Sequence, residues 1–109
     1  MSAYNVDIGG THVDRTHQGD YHIYQYNPLT VNVGDTIEVI YSPRAWVLND
    51  SIHRGWCKVT FEVRRGWERN HKTGKMEEFK ARIVIEQRLL TASEIGWCER
   101  LIKQVEARA

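Results

Sequence analysis

Residues 56–88 read WCKVTFEVRRGWERNHKTGKMEEFKARIVIEQR, and this stretch decides the fold. In its first part Cys57, Val59, Phe61 and Val63 alternate with Lys58, Thr60, Glu62 and Arg64. In its last part Phe79, Ala81, Ile83 and Ile85 alternate with Lys80, Arg82, Val84 and Glu86. Side chains of a strand point to opposite faces in turn, so each alternation predicts a strand with one set in a core and one in water. The intervening RRGWERNHKTGKME holds two glycines and little apolar content, which predicts a basic, aromatic loop closing a long β-hairpin over 56–88.

Downstream the period changes. In LTASEI, Thr91 is placed to cap the amide of Glu94, Glu94 to reach back, and Leu90 to staple onto Ile95. Ile95, Cys98, Leu101, Ile102 and Val105 then fall on one face at helical spacing, with Trp97 at its border. Glu94 and Glu99 precede Arg100, Lys103 and Arg108, the order the helix dipole favours. A helix is expected from about 91 to 107.

Upstream, Tyr4, Val6 and Ile8 predict a short strand ending at Gly9-Gly10, and the polar THVDRTHQGD predicts a loop. YHIYQY (21–26) predicts a strand with Tyr21 and Ile23 on one side and His22, Tyr24 and Tyr26 on the other. Leu29, Val31 and Val33 and then Ile37, Val39 and Tyr41 predict two strands around Gly34-Asp35, where glycine supplies unusual backbone angles and aspartate bonds to nearby amides. Ala45–Leu48 reads as a short strand or an excursion, followed by a loop through Gly55. An amphipathic helix after a row of strands must lay its stripe on a sheet face. The expected class is therefore α+β, mainly β, in one domain over 1–109: a small curved antiparallel sheet or half-open barrel with a C-terminal helix.

The 109 residues suffice for one core without staples, and a formal net charge of +1 excludes a global field towards polyanions. Charge is uneven, however: residues 1–55 hold three basic against six acidic side chains, and the remainder twelve against eight. No stretch is long and apolar enough to span a bilayer, and MSAYNVDIGG lacks the pattern of a secretory leader. Cys57 and Cys98 each lie on an apolar face and read as buried free thiols of an intracellular, cytoplasmic protein.

Residues 64–75 carry Arg64, Arg65, Arg69, Lys72 and Lys75 against Glu68, with Trp67 and His71 interleaved. Cations neutralise phosphates and a flat ring stacks on a base, so this mixture suits nucleic acid; Arg44 and Trp46, just past a proline, extend it. The competing account is a solvated hairpin tip with Trp67 folded back on the sheet. The charged strand positions Lys58, Glu62 and Arg64, which can face Lys80, Arg82 and Glu86 depending on register, read as a solvated face of mixed-sign pairs.

His12, His17 and His22, with Asp14 and Asp20, would meet only if their segment were a loop, and their spacing is wider than zinc sites show. No metal or other cofactor is expected. Neither cysteine has a histidine closely C-terminal to it, as a copper site needs, and no GxSxG, P-loop or dinucleotide fingerprint occurs. The expectation is a non-enzymatic module binding nucleic acid through the 64–75 loop. The open alternative is a protein-interaction factor, a small regulator or inhibitor or a homodimer, acting through four tryptophans and five tyrosines.

Overall fold

The computed structural model describes residues 4–25, 30–43 and 55–108. Six strands form one antiparallel sheet in sequence order: β1 (Tyr4–Ile8), β2 (Thr11–Arg15), β3 (Tyr21–Tyr24), β4 (Thr36–Tyr41), β5 (Cys57–Arg69) and β6 (Met76–Leu89). The helix α1 (Ala92–Arg108) follows. The sheet does not close, and β1 and β6 are its edges. The mainly β, α+β expectation holds.

Gly9 and Gly10, at φ 54° and 86°, make the two-residue turn between β1 and β2, a conformation that twists with the strands it joins. Of the polar segment after them, Thr11–Arg15 is β2 rather than the loop its composition predicts, whereas residues 16–20 do form the connecting turn. Only Val13 of β2 is buried, while His12 and Asp14 stand on the other face, so few apolar residues are needed for a full ladder. Val31 and Val33 form no strand: Asn32–Asp35 is a turn in which the Asp35 carboxylate accepts the Asn32 amide at 2.7 Å. That turn is stitched to β5, with the Gly34 N–H donating to the Val63 carbonyl at 2.8 Å and the Val63 N–H to Asp35 at 2.9 Å. Tyr26, Leu29 and the predicted strand at 45–48 lie outside the described residues.

Pairing through the sheet sorts side chains onto two faces, and each face carries its own core. Under α1, Val13, Tyr21, Ile23 and Ile40 meet Leu90, Cys98, Leu101 and Val105, with Val6, Ile8, Ile95, Trp97 and Ile102 packed around them. On the opposite face Ile37, Val39, Cys57, Val59, Phe61 and Val63 are buried together, bordered by Tyr24, Val31, Tyr41 and Val84. Both cysteines are buried and free. The helix is fixed at both ends. The Thr91 hydroxyl accepts the Glu94 N–H at 3.3 Å and the Glu94 carboxylate accepts the Thr91 N–H at 3.0 Å, completing the capping box. Near the other end the Tyr21 hydroxyl donates to Glu106 at 2.8 Å.

The β5–β6 register corrects one expectation. From Cys57↔Leu89 to Thr60↔Glu86 the strands match residue for residue, but Phe61 then pairs with Val84, leaving Ile85 as an extra residue. This β-bulge flips the rest of β6. Val84, Arg82, Lys80, Glu78 and Met76 share a face with Phe61 and Val63, and Ile83, Ala81 and Phe79 go to the other side. The two apolar sets of the hairpin therefore do not share a core: that of β5 is buried, and Phe79, Ile83 and Ile85 are exposed.

Candidate nucleic-acid interface

The pairing of β4 with β5 ends at Thr36↔Glu62, and the backbone bonds from Gly34 and Asp35 reach Val63. Beyond Val63, β5 pairs only with β6 among the described residues. Residues 64–69 and 76–81 thus form a two-stranded ribbon of six residues per strand, about 20 Å long at about 3.3 Å per residue. Among the described residues it pairs with no third strand, and the molecule measures 47 Å along its longest axis. The expected loop is correspondingly shorter: Arg64–Arg69 are strand, and only 70–75 turn.

The turn is ordered by Asn70, whose side-chain carbonyl accepts the amides of Lys72 at 2.8 Å and Thr73 at 3.3 Å. Its side-chain amide donates to Glu77 at 2.8 Å, and Gly74 takes up φ 72°. His71, Lys72 and Lys75 are exposed at this tip.

Extending the strand through Arg69 places side chains by alternation. Arg65, Trp67 and Arg69 share one face with Met76, Glu78, Lys80 and Arg82 of β6, all exposed. Arg65, Arg69, Lys80 and the carboxylate Glu78 neighbour the indole on this face and Arg82 continues it opposite Val63; the indole is 58% exposed and does not fold back on the sheet. Arg65 is tied to Glu78 at 2.8 Å and the Lys80 ammonium donates to the Val31 carbonyl, whereas Arg69 and Arg82 form no ion pair among the described residues. The other face holds Arg64, Gly66 and Glu68 opposite Ala81, Phe79 and Glu77. Arg64 there bonds Glu62 at 3.2 Å, which raises its already high pKa. Glycine at 66 makes room for Phe79, since a Cβ would lie 2.6 Å from the ring's Cζ. An open depression of about 250 Å³ lies near the tip, lined by Arg69, Asn70, His71, Glu77 and Glu78 among others.

Alternation thus brings together Arg65, Trp67 and Arg69, turns Arg64 away, and leaves His71, Lys72 and Lys75 at the tip. Arg44 and Trp46 lie outside the described residues. Lys80 and Arg82 join the face although the sequence reading assigned them to mixed-sign strand pairs. The register separates those pairs, with Glu62 opposite Ile83 and Arg64 opposite Ala81, while Lys58 bonds Glu38 on β4 at 2.8 Å. Continued alternation of RRGWER was the missed signal.

The histidine-rich segment is a second polar patch. His12 lies between Asp7 at 3.0 Å and Asp14 at 2.8 Å, one carboxylate at each ring nitrogen. A carboxylate only accepts, so both contacts are hydrogen bonds when the ring carries two N–H groups. His22, opposite Asp14 and edge-on to Tyr41 at 4.9 Å, has its pKa lowered by burial against the pull of Asp14 and Asp20. His17 lies in the turn between β2 and β3. No group of three or more metal-ligating side chains is poised for a metal among the described residues. Burial raises the thiol pKa of Cys57, and that of Cys98 to about 11, which suppresses their thiolates. No helix among the described residues is long and apolar enough to cross a membrane. No family model, curated protein or solved structure matches the chain.

Proposed function

We propose that the protein is a non-enzymatic module that binds nucleic acid along the basic face of the β5–β6 ribbon. The observation that carries this reading is the shared, exposed face of Arg65, Trp67, Arg69 and Lys80 on the two-stranded ribbon, continued by Arg82 at its base. Segregation supports this reading despite the near-neutral net charge, because the ligand would meet one face with Arg65, Arg69, Lys80, Arg82 and a single carboxylate, Glu78, rather than the chain's average. Lys72, Lys75 and His71 lengthen the surface at the tip.

Phosphate contacts release counterions, so affinity for a labelled oligonucleotide should fall steeply with salt. Replacing Arg69, Lys72 and Arg82 by alanine together should weaken binding and reduce the slope of log K against log salt by about 2–3, at about 0.7–0.9 per cation. Unchanged affinity and slope in that variant would sink the reading.

A second reading is favoured by β6. Met76, Phe79, Ile83, Ile85 and Leu89 are exposed apolar side chains on one edge strand of fourteen residues. Such an edge is a template for another strand, so the protein would act as an interaction factor or homodimer through β6. Sedimentation at high and low salt separates the two: association that persists at high salt and is lost in Phe79→Glu supports the second reading.

A further inference from the structure

We infer that the ligand of the ribbon is single-stranded nucleic acid, one base stacking on Trp67 while Arg65 and Arg69 hold the phosphates to either side. This rests on the proposed nucleic-acid reading of the same face and specifies its substrate. Trp67 is 58% exposed on that face, with Arg65 and Arg69 two residues to each side. That spacing is about 6.7 Å along a strand. A large exposed ring costs solvation unless it has a partner, and the partner that cations at either side select is a flat base carried on a charged backbone. In a duplex each base is already stacked and paired, and its face is closed to an indole on a flat ribbon.

Charge density points the same way. Over the ribbon's 20 Å or so, a duplex presents about twelve phosphates and a single strand about six, at about 1.7 and 3.4 Å per charge. Over that length the face offers three cations, Arg65, Arg69 and Lys80, and Glu78, directly across from Trp67, already holds Arg65 at 2.8 Å. Three cations can neutralise at most about half of a single strand's charge over that length and about a quarter of a duplex's. Glu78 would also repel the second phosphate row of a duplex. An anion-binding surface built for a duplex has no use for a carboxylate beside its aromatic centre.

The test uses one fluorescently labelled oligonucleotide, single-stranded or annealed to its complement, with anisotropy read at low ionic strength. Wild type should bind the single strand more tightly. Trp67→Ala should weaken single-strand binding about ten-fold or more, and Trp67→Phe, which keeps a flat ring, should retain most of it. The unfolding midpoint of Trp67→Ala should match wild type, because the indole is outside both cores. Duplex binding as tight as single-strand binding, or a single-strand preference that survives Trp67→Ala, would overturn this inference. In either case, loss of binding in the Arg69, Lys72 and Arg82 triple variant would leave the basic face standing as the site. Failure of wild type to bind either oligonucleotide would overturn both.

Discussion

Deleting Ile85 tests the register on which the basic face depends. In the structure Ile85 is the surplus residue between Glu86, opposite Thr60, and Val84, opposite Phe61. Its removal leaves every other β5–β6 pair as it is, because Val84 then simply follows Glu86 along the ladder. What is lost is a side chain already 50% exposed. Fully burying such a side chain contributes about 1.5–3 kcal/mol, so the loss is about 1 kcal/mol, partly offset by a regular ladder. The melting midpoint should fall by about 5 °C or less. Without the bulge, Ile85 itself would oppose Phe61, and Phe79 and Ile83 would lie on the core face. Deletion would then rotate both into solvent at about 3–6 kcal/mol, much of the about 5–15 kcal/mol that holds a domain folded. Thermal and denaturant unfolding, followed by circular dichroism, distinguish these outcomes. A loss above about 3 kcal/mol, or an unfolded chain, would refute the bulged register and, with it, the placement of Lys80 and Arg82 on the face of Trp67.

Three further outcomes follow from the geometry. The Arg88 guanidinium and the Thr91 amide hold the Glu94 carboxyl at about 2, below its ordinary 4.5. Its stabilising contribution is therefore complete above about pH 4.5 and lost as the pH falls through about 2; between those values wild-type stability should drop more steeply than that of Glu94→Gln, and parallel profiles would refute the assignment. In a Phe79→Ala background, Gly66→Ala should stabilise by about 0.5–1 kcal/mol, whereas in wild type displacement of the ring cancels that gain; equal effects in the two backgrounds, measured by denaturant unfolding, would show that ring and glycine are not coupled. Cys57 and Cys98 should resist a thiol reagent at mildly alkaline pH until the protein unfolds, and labelling of the native protein as fast as of a free thiol would contradict their burial.

The hairpin, the capping box and the helical stripe were legible because each is a local pattern with one physical solution: alternation, a hydroxyl and a carboxylate three residues apart, and a 3.6-residue period. The face assignment of β6 was not. Phe79, Ala81, Ile83 and Ile85 alternate as regularly as Cys57, Val59, Phe61 and Val63, but alternation fixes no phase between two strands, and one extra residue inverts it. The segments Thr11–Arg15 and Arg64–Arg69 were read as loops because they are polar. Ladder hydrogen bonds require no apolar side chains, and a ribbon or a strand with one buried residue needs almost none. Of the candidate site, the residue types were legible in RRGWER. Their union with Lys80 and Arg82 depends on cross-strand register, which no local pattern records.

The two cores have a consequence for how the molecule comes apart. Val39 and Ile40 are consecutive on β4, yet Val39 belongs to the core shared with β5 and Ile40 to the core beneath the helix. β4 is hydrogen-bonded to β3 on one side and β5 on the other, so loosening either core strips one face of a strand that the other core also needs. Two hydrophobic bodies on opposite faces of the sheet are thus made to melt together through a strand they share. A cavity cut at Val105 under the helix should speed amide exchange on β5 as well as on α1, making β4 the seam of one cooperative unit rather than the border between two.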